Sequence, residues 1–456
     1  MLARMNFPPG PRGVIEVARA FRAFNASPAP FVQELAARYG DIAGFHIARE
    51  PLVFVTDPEV TGEILLDKEG ELLKDKPTHA LSAILGQGLL TSEGSLWRRQ
   101  RKLIAPSLSK KHIASYADSM VRLGGRYADA LRDGEARKIG DDMTALTLDI
   151  VVETLFGTEL GGGYEEVGHA IDAVMDDFQA LIQTWRSLFP EWVPFRARRR
   201  TRQTAERIHR IVLDVIQKRR ASGTLGDDLL SRLLAARDEA DPERGMNDQQ
   251  LRDEVVTLFM AGHETTSNAL SWTLLLLAEH PEVDARLVDE IDRVLGDRPA
   301  TAEDLPKLVY ADAIIKETMR IYPPAYLLGR ENTRPMKLGR YEVPKGTTLI
   351  LSPWAMQHDR RYFPDPEAFR PERWLDGSTA NLPKHVYVPF GGGPRVCVGN
   401  HFAQMEAVLV LVTLARRARF ERITRDPVPM QYAITLRPLG GVPLYVRRRS
   451  PARAAA

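Results

Sequence analysis

The segment from Asp248 to His280 constrains the fold more than any other part of the chain. No proline interrupts it until Pro281 closes it, and its interior is apolar on nearly every side. As a single helix it would be about 50 Å long at 1.5 Å per residue. A helix that is apolar all round has to be buried in a large core, so the rest of the chain must wrap it. Asn247 is placed to cap it, with Gln250 three residues on to complete a capping box. In its middle, AGHETTSN (Ala261 to Asn268) breaks the apolar pattern. Burying Glu264, Thr265 and Thr266 unpaired would cost about 1–3 kcal/mol each, and Gly262 about 1 kcal/mol relative to alanine. Such a break marks either a functional groove or a kink in which threonine hydroxyls bond back to the preceding turn. The pair His263-Glu264 lacks the second histidine of H-E-x-x-H, because position 267 is Ser267, so a zinc peptidase is set aside.

The rest of the chain reads as mainly α with small β-sheets. Helical patterns dominate from about Asp57 to Leu234, broken at LGGGY (Leu160 to Tyr164), and further helices are expected at Phe31–Tyr39 and Leu308–Tyr322. PPGPRG (Pro8 to Gly13) is stiff and extended by composition. DEADPERGMND (Asp238 to Asp248) reads as a charged solvent loop, and RARRRTR (Arg196 to Arg202) as a solvated helix end. Asp41–Asp57 reads as a hairpin, Met336–Ser352 as strands around a turn at Pro344-Lys345-Gly346, and Ala433–Val446 as a final hairpin. The expectation is one domain over residues 1–456, with a helix-rich core over about 57–330 and a sheet region drawn from 41–57, 336–352 and 433–446.

Composition narrows the function. With 62 basic and 60 acidic residues the net charge is +2, which gives no case for nucleic-acid binding. The N-terminus has no apolar signal region. The most apolar stretch, Leu270 to Ala278, is far short of the ~20 residues that a membrane span needs. A soluble, cytoplasmic monomer is expected. The single cysteine, Cys397, excludes an intramolecular disulfide and multi-cysteine metal clusters.

That cysteine sits in FGGGPRVCVG (Phe390 to Gly399), just before the strongly helical HFAQMEAVLVLVTLARR (His401 to Arg417). Glycines permit backbone angles that other residues avoid. The helix N-terminus, with its free N–H groups and positive dipole end, favours a thiolate, as does Arg395 nearby. A thiolate could serve as nucleophile or as metal ligand, and with ten histidines in the chain a cysteine hydrolase stays open. Two further motifs are weak when read alone. Glu317 and Arg320 in KETMR share a helix face, as many surface ion pairs do. FRPERW (Phe369 to Trp374) is an aromatic-rich, proline-broken loop holding Arg373.

Taken together, Phe390-x-x-Gly393-x-Arg395-x-Cys397-x-Gly399, Glu317-x-x-Arg320, PERW at Pro371 to Trp374, and Ala261-Gly262-x-Glu264-Thr265-Thr266 resemble the cytochrome P450 family. The resemblance runs from PPGP at Pro8 to Pro438. It implies the cytochrome P450 fold, with heme b lying between the long central helix and the cysteine loop, and Cys397 as axial ligand of the heme iron. It implies that Phe390 packs beside the sulfur and that Ala261 lies over the heme. Trp97 and Arg101 in WRRQRKL, together with Arg330 and Arg395, are implied as propionate partners. Glu317, Arg320 and Arg373 are implied as a buried structural network. Glu264 and Thr265 are implied as the catalytic acid–alcohol pair, with Thr265 holding the oxygen and a water and Glu264 relaying protons.

The implied activity is a heme-thiolate monooxygenase that inserts one atom of O2 into a small hydrophobic substrate. A fatty acid is favoured; terpenoid, steroid or macrocycle tailoring and broad xenobiotic oxidation are the alternatives, and a heme gas sensor is the non-enzymatic one. The implied pocket comprises Leu89, Leu90, Ala261, Thr265, Ala325, Leu328 and Ile434. Electrons would come from a ferredoxin or flavodoxin with its reductase, docking on the basic Arg98, Arg99, Arg101, Lys102, Lys110 and Lys111.

Overall fold

Asn247 starts the central helix, Asp248–Glu279, by accepting the Gln250 backbone N–H on its side chain at 2.8 Å. The expected reciprocal arm of the capping box is missing, because the Gln250 side-chain oxygen Oε1 instead accepts a hydrogen bond from Arg99 at 3.1 Å. The computed structural model of the protein describes residues 6–157, 196–223, 225–238 and 245–449. LGGGY at 160–164 and part of the charged loop after Asp238 lie outside the described residues, as do the side chains at the start of RARRRTR.

The central helix is unbroken through AGHETTSN, and helices pack around it: Ile139–Phe156, Arg196–Ser222, Val309–Ile321 and Asn400–Ala415. No kink forms. Thr265, Ser271 and Thr273 each donate to a carbonyl one turn back, at 2.9, 2.6 and 2.7 Å. Gly262 has a packing reason, since a Cβ there would lie 2.9 Å from the Val151 side chain on Ile139–Phe156. The same neighbour gives a second tie, with the Thr147 hydroxyl donating to the His263 carbonyl at 3.1 Å.

Mainly helical architecture with small sheets is what the structure shows. The largest sheet has five strands in the order Ile42–Ile47, Glu50–Val55, Thr348–Leu351, Leu328–Asn332 and Leu72–Leu73. Val53 faces Leu349 in parallel pairing, and Arg330 faces Leu349 in antiparallel pairing. This register places Arg330 on a central strand, beside the approach to the cysteine loop. The extended PPGP segment is pinned to the sheet, with the Gly44 N–H donating to the Pro9 carbonyl at 2.9 Å.

The expected terminal hairpin over Ala433–Val446 does not form as one unit. Met430–Tyr432 pairs with Leu436–Pro438, while Pro443–Arg448 pairs with Ala418–Arg422 and Ala136–Lys138. The cause lies at Gly440-Gly441, both at positive φ. Gly441 docks on the start of another helix, where the Gly140 N–H donates to the Gly441 carbonyl at 3.0 Å, and this leads the chain away from its neighbour strand.

Candidate functional site

Between Asp253 and Leu277 on the central helix, only Leu258, Ala261, Gly262 and Thr265 are not buried. Their spacing is i, i+3, i+4, i+7, which is one helix face. Ala261 is exposed outright. An exposed alanine in the middle of an otherwise buried helix requires open space beside it, and Thr265 borders that space.

The cysteine loop is shaped by contact with neighbouring backbone. Gly391 and Gly393 hold φ of +69° and +64°. A Cβ on Gly393 would lie 2.0 Å from the Leu65 carbonyl oxygen, so only glycine lets the loop seat on the helix Pro58–Leu66. The Cys397 N–H donates to the Phe390 carbonyl at 3.0 Å, and Gly399 opens the helix Asn400–Ala415. The Cys397 side chain reaches solvent, yet protein atoms enclose it on most sides, so the thiol is recessed rather than on the outer surface. A Cβ on Gly399 would meet no atom within 4 Å. Open space therefore lies beside the thiol and also beside Gly399, two residues on.

The expected influences toward thiolate are present at the helix N-terminus and in a neighbouring arginine, and burial opposes them. Burial is the largest influence and pushes the Cys397 thiol up, with the Gly399 N–H and the Arg101 charge opposing it. Arg395 is turned elsewhere, toward Glu93 and the Ser92 carbonyl. A thiol held neutral is a poor nucleophile but ionises when a metal replaces its proton.

A cluster of cations lies nearby. The Arg395 guanidinium sits 4.0 Å from the centroid of the Trp97 ring on Gly94–Ile104. Arg330 is buried, and burial depresses its pKa as it does that of Arg395. Lys74 is pushed down to about 7, by burial first and then by the charges of Arg330 and Arg395. Glu93 bridges the cluster, bonding Arg395, the Lys74 N–H at 2.6 Å and His79 at 3.7 Å. Partly desolvated cations crowding one another are in the environment an anionic ligand relieves. Arg101 is half-buried, and its charge and Cys397 act on each other. Lys74 and Glu93 were not singled out from the sequence; the only signal was a lysine between apolar Leu72-Leu73 and Asp75.

Glu317, Arg320 and Arg373 form one buried cluster, with side chains 0–1% exposed. Glu317 accepts from Arg320 Nε and Nη2 at 3.0 Å each, from Arg373 Nε at 2.8 Å and from the Trp374 indole at 2.9 Å. Arg320 also donates to the Gln357 and Ala368 carbonyls at 2.9 and 3.2 Å. Every strong donor thus has an acceptor, the condition for burying such charges.

Glu264 and Thr265 face different ways. Thr265 donates to the Ala261 carbonyl, whereas Glu264 takes Arg437 and Thr435 from the strand Leu436–Pro438 and its turn. Of the pocket positions, Leu89, Leu90 and Ile434 pack in or against the main core, and Leu328 packs against a separate cluster beside the loop, 3.9 Å from where a Gly391 Cβ would be. Ala325 is half-buried in the turn before Leu328–Asn332. A groove of about 1040 Å³ lined by Phe7, Val14, Val17, Phe21 and Ile47 lies at the N-terminal helix, and none of these site residues lines it. Among the described residues no helix is long and apolar enough to cross a membrane.

The structure thus holds a recessed lone thiol, an exposed alanine on a buried helix and a cluster of partly desolvated cations. The family model "Cytochrome P450" matches residues 8–442. The chain is 33% identical over 429 residues to cyclooctatin synthase of Streptomyces melanosporofaciens, covering 91% of each chain. It is 33% identical over 408 residues to cyclooctat-9-en-7-ol 5-monooxygenase of the same organism, covering 88% of this chain and 86% of the relative. It is 32% identical over 408 residues to pentalenene oxygenase of Streptomyces avermitilis, covering 88% of each. The chain belongs to the cytochrome P450 family, whose members bind heme b through a cysteine thiolate, and it is a P450 oxidoreductase.

Proposed function

We propose that the protein hydroxylates a neutral, cyclic, terpenoid-type hydrocarbon. The observation that carries this is the stripe Leu258, Ala261, Gly262 and Thr265, the part of an otherwise buried helix face that is open, apolar but for a single hydroxyl. The assigned pocket positions Leu89, Leu90, Ala325, Leu328 and Ile434 add only apolar surface, which suits a substrate held by shape and burial. A fatty acid would want a cation for its carboxylate, and none of these residues is charged. The relatives named for oxygenating pentalenene and cyclooctat-9-en-7-ol support the cyclic class.

The residues fit heme b. Cys397, the chain's one cysteine, would hold the iron as thiolate and feed it electron density; the metal supplies the charge that overcomes the raised thiol pKa. Lys74, Arg330 and Arg395 would pair with the propionates, with Trp97 backing Arg395 and Arg101 adding positive charge near the sulfur. Phe390 anchors the loop through its carbonyl. Ala261 would leave room over the ring, since any larger side chain would fill that space. Glu317, Arg320 and Arg373 would hold the turn Pro371–Trp374 against Val309–Ile321, a structural role.

When bound, the heme activates dioxygen, so that substrate, O2, two electrons and two protons give an alcohol and water. The protons have to be moved by the chain. Thr265 would hold a water and the oxygen at the exposed face, and Glu264 would pass protons inward from solvent. The electrons would come from a ferredoxin or flavodoxin, attracted by the exposed Arg98, Lys102, Lys110 and Lys111. Arg99 is not part of that surface, because it is committed to Asp238, Gln250 and the Gly245 carbonyl.

The test is optical. The reduced protein with carbon monoxide should show the red-shifted Soret band of thiolate ligation, and Cys397→Ala should abolish it. Titration with cyclic terpenes should give a spin-state shift at lower concentration than titration with fatty acids. Tighter response to fatty acids would overturn the substrate assignment and leave the heme assignment intact.

A further inference from the structure

The carboxylate of Glu264 is held by the C-terminal hairpin. Its Oε1 accepts from Arg437 Nε at 3.0 Å and Nη2 at 2.8 Å, and also from the Thr435 hydroxyl. The side chains of Glu264 and Arg437 are 10% and 20% exposed, so the pair is shielded far better than a surface ion pair. Asn268, one turn beyond Glu264, donates to the Thr435 hydroxyl oxygen at 3.0 Å. That leaves the hydroxyl proton for Glu264.

The hairpin segment doing this is itself clasped. The Tyr326 hydroxyl donates to the Ala433 carbonyl at 2.8 Å, and the Leu436 N–H donates to the Pro324 carbonyl at 3.0 Å. Ile434, a pocket position, sits between these ties and next to Thr435. One short strip of backbone, 433–437, therefore carries both a pocket wall residue and the partners of Glu264. In this arrangement the carboxylate points to the hairpin and Thr265 donates to the Ala261 carbonyl, so the two side chains are disengaged.

We propose that Arg437 and Thr435 are positioning residues that hold the Glu264 carboxylate withdrawn from Thr265, so that proton delivery waits on release of the hairpin's grip. The proposal rests on the reading of Glu264 as the proton-relay acid. Its consequence is a low rate of wasteful reduction, in which O2 takes two electrons and two protons to become hydrogen peroxide without touching a substrate.

The experiment uses the heme-loaded protein with a ferredoxin, its reductase and NADPH. Arg437→Gln should raise substrate-free NADPH consumption and peroxide output severalfold, and Arg437→Lys should restore the low rate. Thr435→Val, a smaller change, should give the same direction. A thermal-unfolding cycle gives a readout independent of turnover: once Glu264→Gln is present, adding Arg437→Gln should lower Tm far less than it does alone. Additive Tm losses, or an unchanged substrate-free rate in Arg437→Gln, would overturn the proposal while Glu264 remains the relay. If Glu264→Gln itself leaves turnover and its solvent isotope effect unchanged, the relay reading falls, and the proposal with it.

Discussion

The guanidinium carbon of Arg395 sits 4.0 Å from the centroid of the Trp97 ring. The contact joins the cysteine loop to the helix Gly94–Ile104, two segments almost three hundred residues apart in the chain. It also holds the guanidinium where its donors reach Glu93 and the Ser92 carbonyl, close enough to Arg330 and Lys74 for their charges to act on one another. A cation–π contact is worth about 0.5–2 kcal/mol depending on desolvation, or about 2- to 30-fold in affinity. Trp97→Ala should therefore weaken heme binding by a factor in that range, read as heme retained per protein during dilution. Trp97→Phe should recover part of it. Retention equal to wild type in Trp97→Ala would show that Arg395 needs no support.

Glu317 has the opposite character, as an anion with no exposed surface and four side-chain hydrogen bonds from two arginines and an indole. Removing one arm of a buried pair costs about 3–5 kcal/mol, a large part of the roughly 5–15 kcal/mol that holds a folded domain. Glu317→Ala should lower the urea midpoint sharply with little change in slope. A midpoint matching wild type would mean that the two arginines find other acceptors.

Two glycines in one loop should respond differently. Gly393→Ala forces a Cβ to within 2.0 Å of the Leu65 carbonyl oxygen at a φ of +64°, so the backbone has to shift. Strain of this kind costs about 1–3 kcal/mol, and the variant should unfold earlier even without heme. Gly399→Ala meets no atom within 4 Å and has a φ of −92°. Its heme-free stability should match wild type while its heme affinity falls, because its methyl enters open space two residues from the thiol that would hold the cofactor. Full heme affinity in Gly399→Ala would show that the cofactor does not use this space.

How much of this was readable differs from residue to residue. The glycines of FGGGPRVCVG announced an unusual backbone, and the break at AGHETTSN announced a special face, because both depart from local rules that sequence alone displays. What sequence did not display was partnership across the fold. Glu317-x-x-Arg320 has the spacing of an ordinary surface pair; only the family resemblance implied its burial with Arg373, and the Trp374 indole, more than fifty residues on, was not foreseen as a partner. Arg437 and Thr435 reach Glu264 across about 170 residues, with no periodicity to betray it. The terminal hairpin misled because Gly440-Gly441 looks like a tight turn between strands, while its actual use is to dock on Gly140. The surroundings of the thiol were legible only in part, because a helix N-terminus is a local feature and burial is not.

Glu406, on the helix that follows Cys397, is fully buried, and neither carboxylate oxygen has a hydrogen-bond partner. Burial pushes its pKa from 4.5 up to about 8; the Thr266 hydroxyl beside it, outside good hydrogen-bond geometry, offsets only part of this. Below pH 4.5 the carboxyl is protonated in folded and unfolded chains alike, and pH has no leverage through it. Between 4.5 and about 8 the unfolded chain gives up the proton and the folded chain keeps it. The folded state then binds more protons, so stability falls as pH rises through this window and levels off above it. The total fall is on the order of several kcal/mol, at 1.36 kcal/mol per pH unit. Glu406→Gln keeps the shape and removes the titration, so its advantage in urea midpoint over wild type should widen from pH 5 to pH 8. Glu254, likewise raised to about 8 by burial, titrates in both proteins and cancels from the difference. A pH-independent difference between the two would mean that Glu406 ionises as freely in the fold as in the unfolded chain.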